Sequence, residues 1–196
     1  MVKLLNQKTG RALEILIGLY LIIGALPKGF NINHFAVQMS AYQVIPDPNW
    51  LPPAALATLL LEMLLGMAMT LGLRFRGIVL ALYQGMLLFF SGLIVYAWQV
   101  HGLEDCGCFP LLKMTPQVSL VKNLLLFLAG CLLAWIFRPW GSGAAGVLSG
   151  KTLALRLALM LAVSLGLTGY AMTQVERIPT SVSVSNLQRT TTAKGP

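Results

Sequence analysis

Two thiols separated by one glycine, Cys106-Gly107-Cys108, sit in the polar island "GLEDCGCFPLLK" at 102–113. Thiols this close can bridge each other, and Gly107 allows the unusual backbone that such a ring needs. So tight a ring is strained, and strained, exposed disulfides are the labile, oxidising ones. The neighbours pull in opposite directions. Glu104 and Asp105 oppose thiolate formation, Lys113 and Lys122 favour it, and His101 is a candidate proton acceptor. Phe109 and Pro110 follow the second thiol directly. An inert staple is a weaker reading, because a link across two residues closes almost no loop and restrains the unfolded chain little. A metal site is weaker too. It would have to recruit His34, His101 or Asp105 from loops, and two cysteines without a His pair make a poor zinc pattern. The third cysteine, Cys131, lies in an apolar run and reads as a small buried hydrophobe.

A second set of candidates is ionisable or polar residues set in grease. Glu62 falls near the middle of an apolar stretch, where a carboxyl group is costly and marks a functional site by default. It can be protonated and bonded to Gln84, or paired with a basic group; a plain clamp between helices is equally consistent. Lys28 closes the first apolar stretch and either reaches for headgroups or turns inward as that partner. Asn123, early in the fourth stretch, can bond the thiol loop or a neighbouring helix. Glu14, three residues after Arg11, reads as interfacial. Met63, Met67 and Met69 read as packing residues rather than copper ligands. No phosphate loop, Ser-His-Asp order or metalloprotease motif is present.

The elements that must position these residues follow from composition. The 196 residues are 57% hydrophobic and 10% charged, against roughly 25% charged in soluble domains; mean hydropathy is +0.76. Lipid is therefore the expected solvent. Apolar stretches at 12–26, 54–73, 78–100, 118–137 and 153–172 lack the polar face of a soluble helix and predict five spanning helices. The first has a basic lead-in but no small-x-small cleavage pattern, which reads as a retained helix rather than a signal peptide. "HFAVQMSAY" at 34–42 predicts a short interfacial helix offering Phe35, Val37, Met39 and Tyr42 for packing. Pro52-Pro53 reads as a breaker, with Trp50 at headgroup level.

Net charge is +8, but the basic residues are scattered singly between apolar runs, which fits flanks of membrane helices and not a nucleic-acid groove. Lys3, Lys8, Arg11, Arg74, Arg76, Arg138, Lys151 and Arg156 fall on one side. Lys28, Lys113 and Lys122 fall in the loops of the other, with Arg177, Arg189 and Lys194 in the tail. That bias places the N-terminus (1–11) and the 139–152 loop in the cytoplasm. The thiol loop and the polar tail (173–196) lie outside, at a bacterial inner membrane facing the periplasm.

Several of these elements, in this order, resemble the MauE branch of the MauE/DoxX family of redox-associated membrane proteins. "GALPKGFNINHFAVQMSAYQVIP" resembles the family's Gly-x-x-Lys, then Phe, then Tyr and Pro. "LLLEMLLGMAM" resembles its Glu-centred second helix, with Glu62 and Gly66. "DCGCF" resembles its Cys-Gly-Cys-Phe loop, and "VKNLLL" the opening of its fourth helix, with Asn123. The likeness runs over roughly 8–138. Two departures stand out. Pro110 replaces the usual Gly after the Phe, and the fifth helix and tail extend beyond a four-helix core. The resemblance implies an all-α membrane bundle that passes reducing or oxidising equivalents to a periplasmic thioredoxin-like partner. In the family this serves maturation of the disulfide-rich small subunit of methylamine dehydrogenase, together with the thioredoxin-like MauD.

The leading expectation is therefore thiol–disulfide exchange at Cys106 and Cys108, supported by Gly107, Phe109, His101, Asp105, Lys28, Glu62 and Asn123. No cofactor is specified. A quinone among the helices would serve as second carrier, but no motif calls for one. The competing expectation is a non-catalytic membrane subunit or assembly factor of a larger complex, docked through the fifth helix and tail. Thiol-based metal handling ranks third.

Overall fold

A computed structural model describes residues 2–73, 76–102, 114–137 and 150–175, the side chains of 2–6 and 150 excepted. Among these, regular structure is entirely helical. The helices are α1 (Val2–Phe30), α2 (Ile32–Ser40), α3 (Leu51–Leu71), α4 (Arg76–His101), α5 (Pro116–Phe137) and α6 (Gly150–Val175), with one 3-10 turn at Pro48–Trp50. All but α2 are long and apolar enough to cross a membrane. The protein is an all-α, multi-pass membrane bundle.

The first helix is longer than its apolar stretch. It begins at Val2 and runs through Pro27 to Phe30. Proline has no N–H to offer the carbonyl four residues back, yet so near a helix end that loss interrupts only the final turn. The consequence is functional: Lys28 lies in helical register, not in a loop. The proline pair at 52 and 53 does not break a helix but starts one. Both lie in the first turn of α3, where a missing N–H has no intrahelical partner to lose. At the other end of α3, Gly72 takes the left-handed conformation (φ 66°) and its N–H returns to the Ala68 carbonyl.

Asn31 caps α2 by accepting a hydrogen bond from the His34 N–H. The helical period then turns Ile32, Phe35 and Ala36 inward. Val37, expected to pack, is instead half exposed, since it falls on the opposite face. Trp50 is exposed just before α3.

In lipid, apolar side chains gain little by leaving one greasy environment for another, so helices associate through close packing and polar contacts. The α1–α3 contact, the most extensive in the bundle, shows how. Gly18 and Gly66 face each other at the crossing. A Cβ on Gly18 would stand 2.7 Å from the Gly66 carbonyl oxygen and 2.4 Å from Thr70 Oγ1; one on Gly66 would stand 2.9 Å from the Gly18 carbonyl. Thr70 turns its hydroxyl onto the Gly66 carbonyl at 2.8 Å. Around this crossing, one core joins α1, α3, α4 and α5 through Ile17, Leu21, Met69, Leu80, Tyr83 and Leu133. A second, nearer the α2 end, joins α1, α2, α3 and α6 through Ala25, Ile32, Phe35, Leu59 and Ala171. The outer faces, with Leu16, Leu125, Trp135, Leu155 and Leu165 exposed, meet lipid. Met63, Met67 and Met69 are core residues.

Gly18→Leu should therefore separate α1 from α3 and destabilise the bundle by about 1–3 kcal/mol, the usual range for overpacking. Gly85→Leu, whose Cβ meets nothing within 4 Å, should be near neutral. Thermal unfolding of the purified variants in detergent checks this; equal effects would show that the glycine contact is not what brings α1 and α3 together.

Candidate functional site

The α1–α3 crossing carries a charge pair one turn beyond Gly66. Lys28 Nζ donates to both carboxylate oxygens of Glu62, at 2.6 Å (Oε1) and 2.8 Å (Oε2). Both residues are buried, with 6% and 9% of their surfaces exposed. The phenyl ring of Phe35, brought over by α2, lies 4.9 Å from the ammonium, an arrangement in which the ring face adds to cation stabilisation. Losing either ion leaves a bare charge in an apolar site, which costs more than the pair itself contributes.

The pair faces a cavity of about 370 Å³. Its walls come from α1, α2, α3, α4 and α5, with Tyr42, Val44 and Ile45 from the segment after α2. Most of the lining is apolar or aromatic, including Tyr20, Phe89, Phe90 and Leu93. The polar exceptions are few. Lys28 contributes from α1, Thr58 and Glu62 from α3, Gln38 from α2, and Lys122 and Asn123 from α5, besides the tyrosines at 20 and 42. Asn123 donates from Nδ2 to Ser91 Oγ on α4 at 3.1 Å, so it ties α5 to a neighbouring helix. The Gln38 side-chain oxygen is buried and accepts no hydrogen bond among the described residues. Two ammonium groups and one carboxylate leave the cavity with an excess of positive charge. Such a space can hold a ring with polar oxygens; it has nothing to recommend it for a cation. Among the described residues, no three His, Cys, Asp or Glu side chains converge as a metal site would require.

The sequence candidates divide accordingly. Lys28, Glu62 and Asn123 are brought to one cavity. Gln84 is not the partner of Glu62; it donates to the Phe127 carbonyl at 3.1 Å and to Cys131 Sγ at 3.4 Å. Cys131 itself is exposed rather than buried, because the α5 period puts Gly130 and Leu133 inward and turns residue 131 toward lipid. His101 ends α4, edge-on to Tyr96 with ring centroids 5.5 Å apart, and its Nε2 is buried without a partner among the described residues. Asp105, Cys106, Gly107, Cys108 and Phe109 lie outside the described residues. The described residues that bracket them are placed, however. Met114 packs with Tyr42 against Ile94 and Ala97, and Tyr42 also lines the cavity.

At the opposite end of the bundle stands a cluster that sequence reasoning placed at the interface. Glu14 is buried, with 3% of its surface exposed. Arg11 Nη1 donates to its Oε2 at 2.7 Å, and Arg76 Nε lies 3.5 Å from its Oε1. Arg11 also donates to the Met69 carbonyl at 2.7 Å and to the Thr70 carbonyl. Arg156 of α6 donates to the Leu71 carbonyl at 2.6 Å. Two arginines thus satisfy the carbonyls that the end of α3 leaves open. The i, i+3 spacing of Arg11 and Glu14 signalled that pair; the reach to α3 and the role of Arg156 had no local signal.

A match to the family model for the methylamine utilisation protein MauE covers residues 6–137, from the start of α1 to the end of α5. The chain belongs to the MauE family. No curated protein and no solved structure matches it. As a MauE-family membrane protein it carries α6 outside the matched region. The Lys28–Glu62 pair, Asn123, the cavity and the Cys106–Cys108 segment all fall within it.

Removing one partner of the buried pair is expected to cost about 3–5 kcal/mol, the range for uncovering a buried charge. Lys28→Met and Glu62→Met should each lower the unfolding temperature sharply, while the double variant should recover much of the loss. A double-mutant cycle on thermal stability reads this; additive losses would mean the two charges do not depend on each other.

Proposed function

We propose that the chain exchanges thiol–disulfide equivalents, through Cys106 and Cys108, with a thioredoxin-like protein outside the cytoplasm. The observation that carries this reading is the family match, whose span of residues 6–137 includes the Cys-Gly-Cys segment. Two further points support it. The described residues on either side of that segment belong to the end of the bundle where α2 covers the cavity. The positive charge of the Arg11, Arg76 and Arg156 end favours the cytoplasm for that end, which leaves the α2 end and the thiols outside, toward the periplasm.

The chemistry is an exchange of bonds. A thiolate of the partner attacks one sulfur of a Cys106–Cys108 disulfide, forming a mixed disulfide and releasing the other sulfur as a thiolate. The partner's second thiolate then attacks the mixed disulfide. The partner leaves oxidised, and Cys106 and Cys108 remain as a dithiol. Strain in so small a ring drives the first step in the oxidising direction. The chain would then act as a thiol–disulfide oxidoreductase in the inner membrane. By family, its client is a periplasmic protein of methylamine utilisation.

Single substitutions test the assignment. Cys106→Ser and Cys108→Ser should each abolish maturation of the client, and one of them should trap a mixed disulfide with the soluble partner. That adduct should be visible on a non-reducing gel and lost on reduction. Full activity of the double Cys→Ser variant would end this reading. It would favour a non-catalytic subunit, for which deletion of 151–196 should break association with a complex.

A further inference from the structure

The cavity has a shape and a chemistry of its own. About 370 Å³ lies at the small end of the roughly 300–1,000 Å³ typical of small-molecule sites. Its walls are greasy and aromatic, so an occupant presents mostly apolar surface and can arrive from the bilayer. Its polar groups come from different helices: Lys122 and Asn123 on α5, Gln38 on α2, Thr58 on α3, and the Lys28–Glu62 pair on α1 and α3. A flat ring with an oxygen at each end meets polar groups from more than one helix, which an acyl chain does not.

Charge narrows the choice. Among the described residues no carboxylate pairs with Lys122, whereas Lys28 is bound to Glu62. The net excess of one ammonium favours electron-rich oxygens. The orphaned Gln38 oxygen adds the complementary function, an acceptor for a hydroxyl. Carbonyl oxygens accepting from Lys122 and a hydroxyl donating to Gln38 are the two faces of one redox couple.

We propose that this cavity binds the ring of an isoprenoid quinone, the tail leaving into lipid, and that the quinone is the two-electron partner of the Cys106/Cys108 dithiol. The electron-transfer half rests on the thiol-exchange reading above; the binding half does not. The balance closes. The two thiols lose two electrons and two protons and form one S–S bond, and the quinone takes both electrons and both protons to become the quinol. Lys122 and Asn123 orient the ring, Gln38 accepts from the reduced form, and the Lys28–Glu62 pair lines the cavity without being consumed.

Decylubiquinone is the probe, with full-length protein in phosphatidylcholine nanodiscs. Wild type and the Cys106→Ser/Cys108→Ser variant should both bind it saturably at one per chain, because binding does not need the thiols. Ala57 lines the cavity, so Ala57→Trp fills it without removing core packing, and Lys122→Met removes an orienting group. Each should weaken binding about tenfold or more, equivalent to ~1.4 kcal/mol. Leu61→Trp on the lipid-facing side should leave it unchanged. Unsaturable partitioning that is equal in all variants, or a cavity that retains only phospholipid, overturns the site. Reduced wild type should yield one quinol per two thiols lost. Quinone binding without thiol loss would overturn the electron-transfer half and count against thiol exchange. Thiol exchange with a soluble partner but no quinone bound would overturn the cavity assignment alone.

Discussion

The bundle is organised around two ions that have nowhere else to go. A lysine and a glutamate buried on adjacent helices are each intolerable alone in a membrane interior. Bonded at 2.6 and 2.8 Å they become a single neutral, dipolar unit. That requirement dictates much around it. The two helices must approach closely, and the glycines at 18 and 66 allow it. Lys28 must stay in helical register, which the continuation of α1 past Pro27 provides. The ammonium must be shielded on its remaining side, and α2 delivers Phe35 to do so. A short helix that looks like a loop ornament is thus the cover of the charge pair.

The opposite end of α3 is held by the same logic applied to the backbone. Helix ends leave carbonyls without partners, and where these are buried they need donors from the protein. Arg11 and Arg156 supply guanidinium donors from α1 and α6, and Glu14 fixes Arg11 in place. Gly72 is needed here twice over. Its backbone is left-handed, and a Cβ at that position would meet the Arg11 guanidinium at 2.8 Å. So α3 is tied at one end by a buried ion pair and at the other by arginine caps. It is the fixed member against which the α4–α5 pair is set, and the cavity lies between the two groups.

How much of this could be read from the chain depends on the range of the signal. Hydropathy is local and strong, so the five spans were plain. Residues 54–73 and 118–137 correspond closely to α3 and α5. Proline is ambiguous because its cost depends on position within a helix. Pro52-Pro53 reads as an interruption and instead starts α3, while Pro27 lies within α1 near its end. Pairing is non-local. Glu62 announced itself as an outlier, but the choice between Lys28 and Gln84 rested on helix rotation and crossing, which no single stretch encodes. Cys131 shows the same limit: in a membrane helix all faces are apolar, so composition does not tell core from lipid-facing positions. The cavity is the least readable feature of all, since it is made of what 22 scattered residues leave unfilled.

The sixth helix clarifies what kind of addition the chain has accepted. It lies beyond the matched region, yet it is no loose appendage. Arg156 caps α3 at one end, and Ala171 enters the core shared by α1, α2 and α3 near the other. Leu167 fills the space that a side chain at Gly29 would need, and Tyr170 meets Phe30 edge-on at 5.9 Å. All of these contacts fall on the fixed group of helices. The cavity wall formed by α4 and α5 takes no residue from α6. A helix added there stiffens the frame that holds Lys28 and Glu62 and leaves the cavity's own lining unchanged.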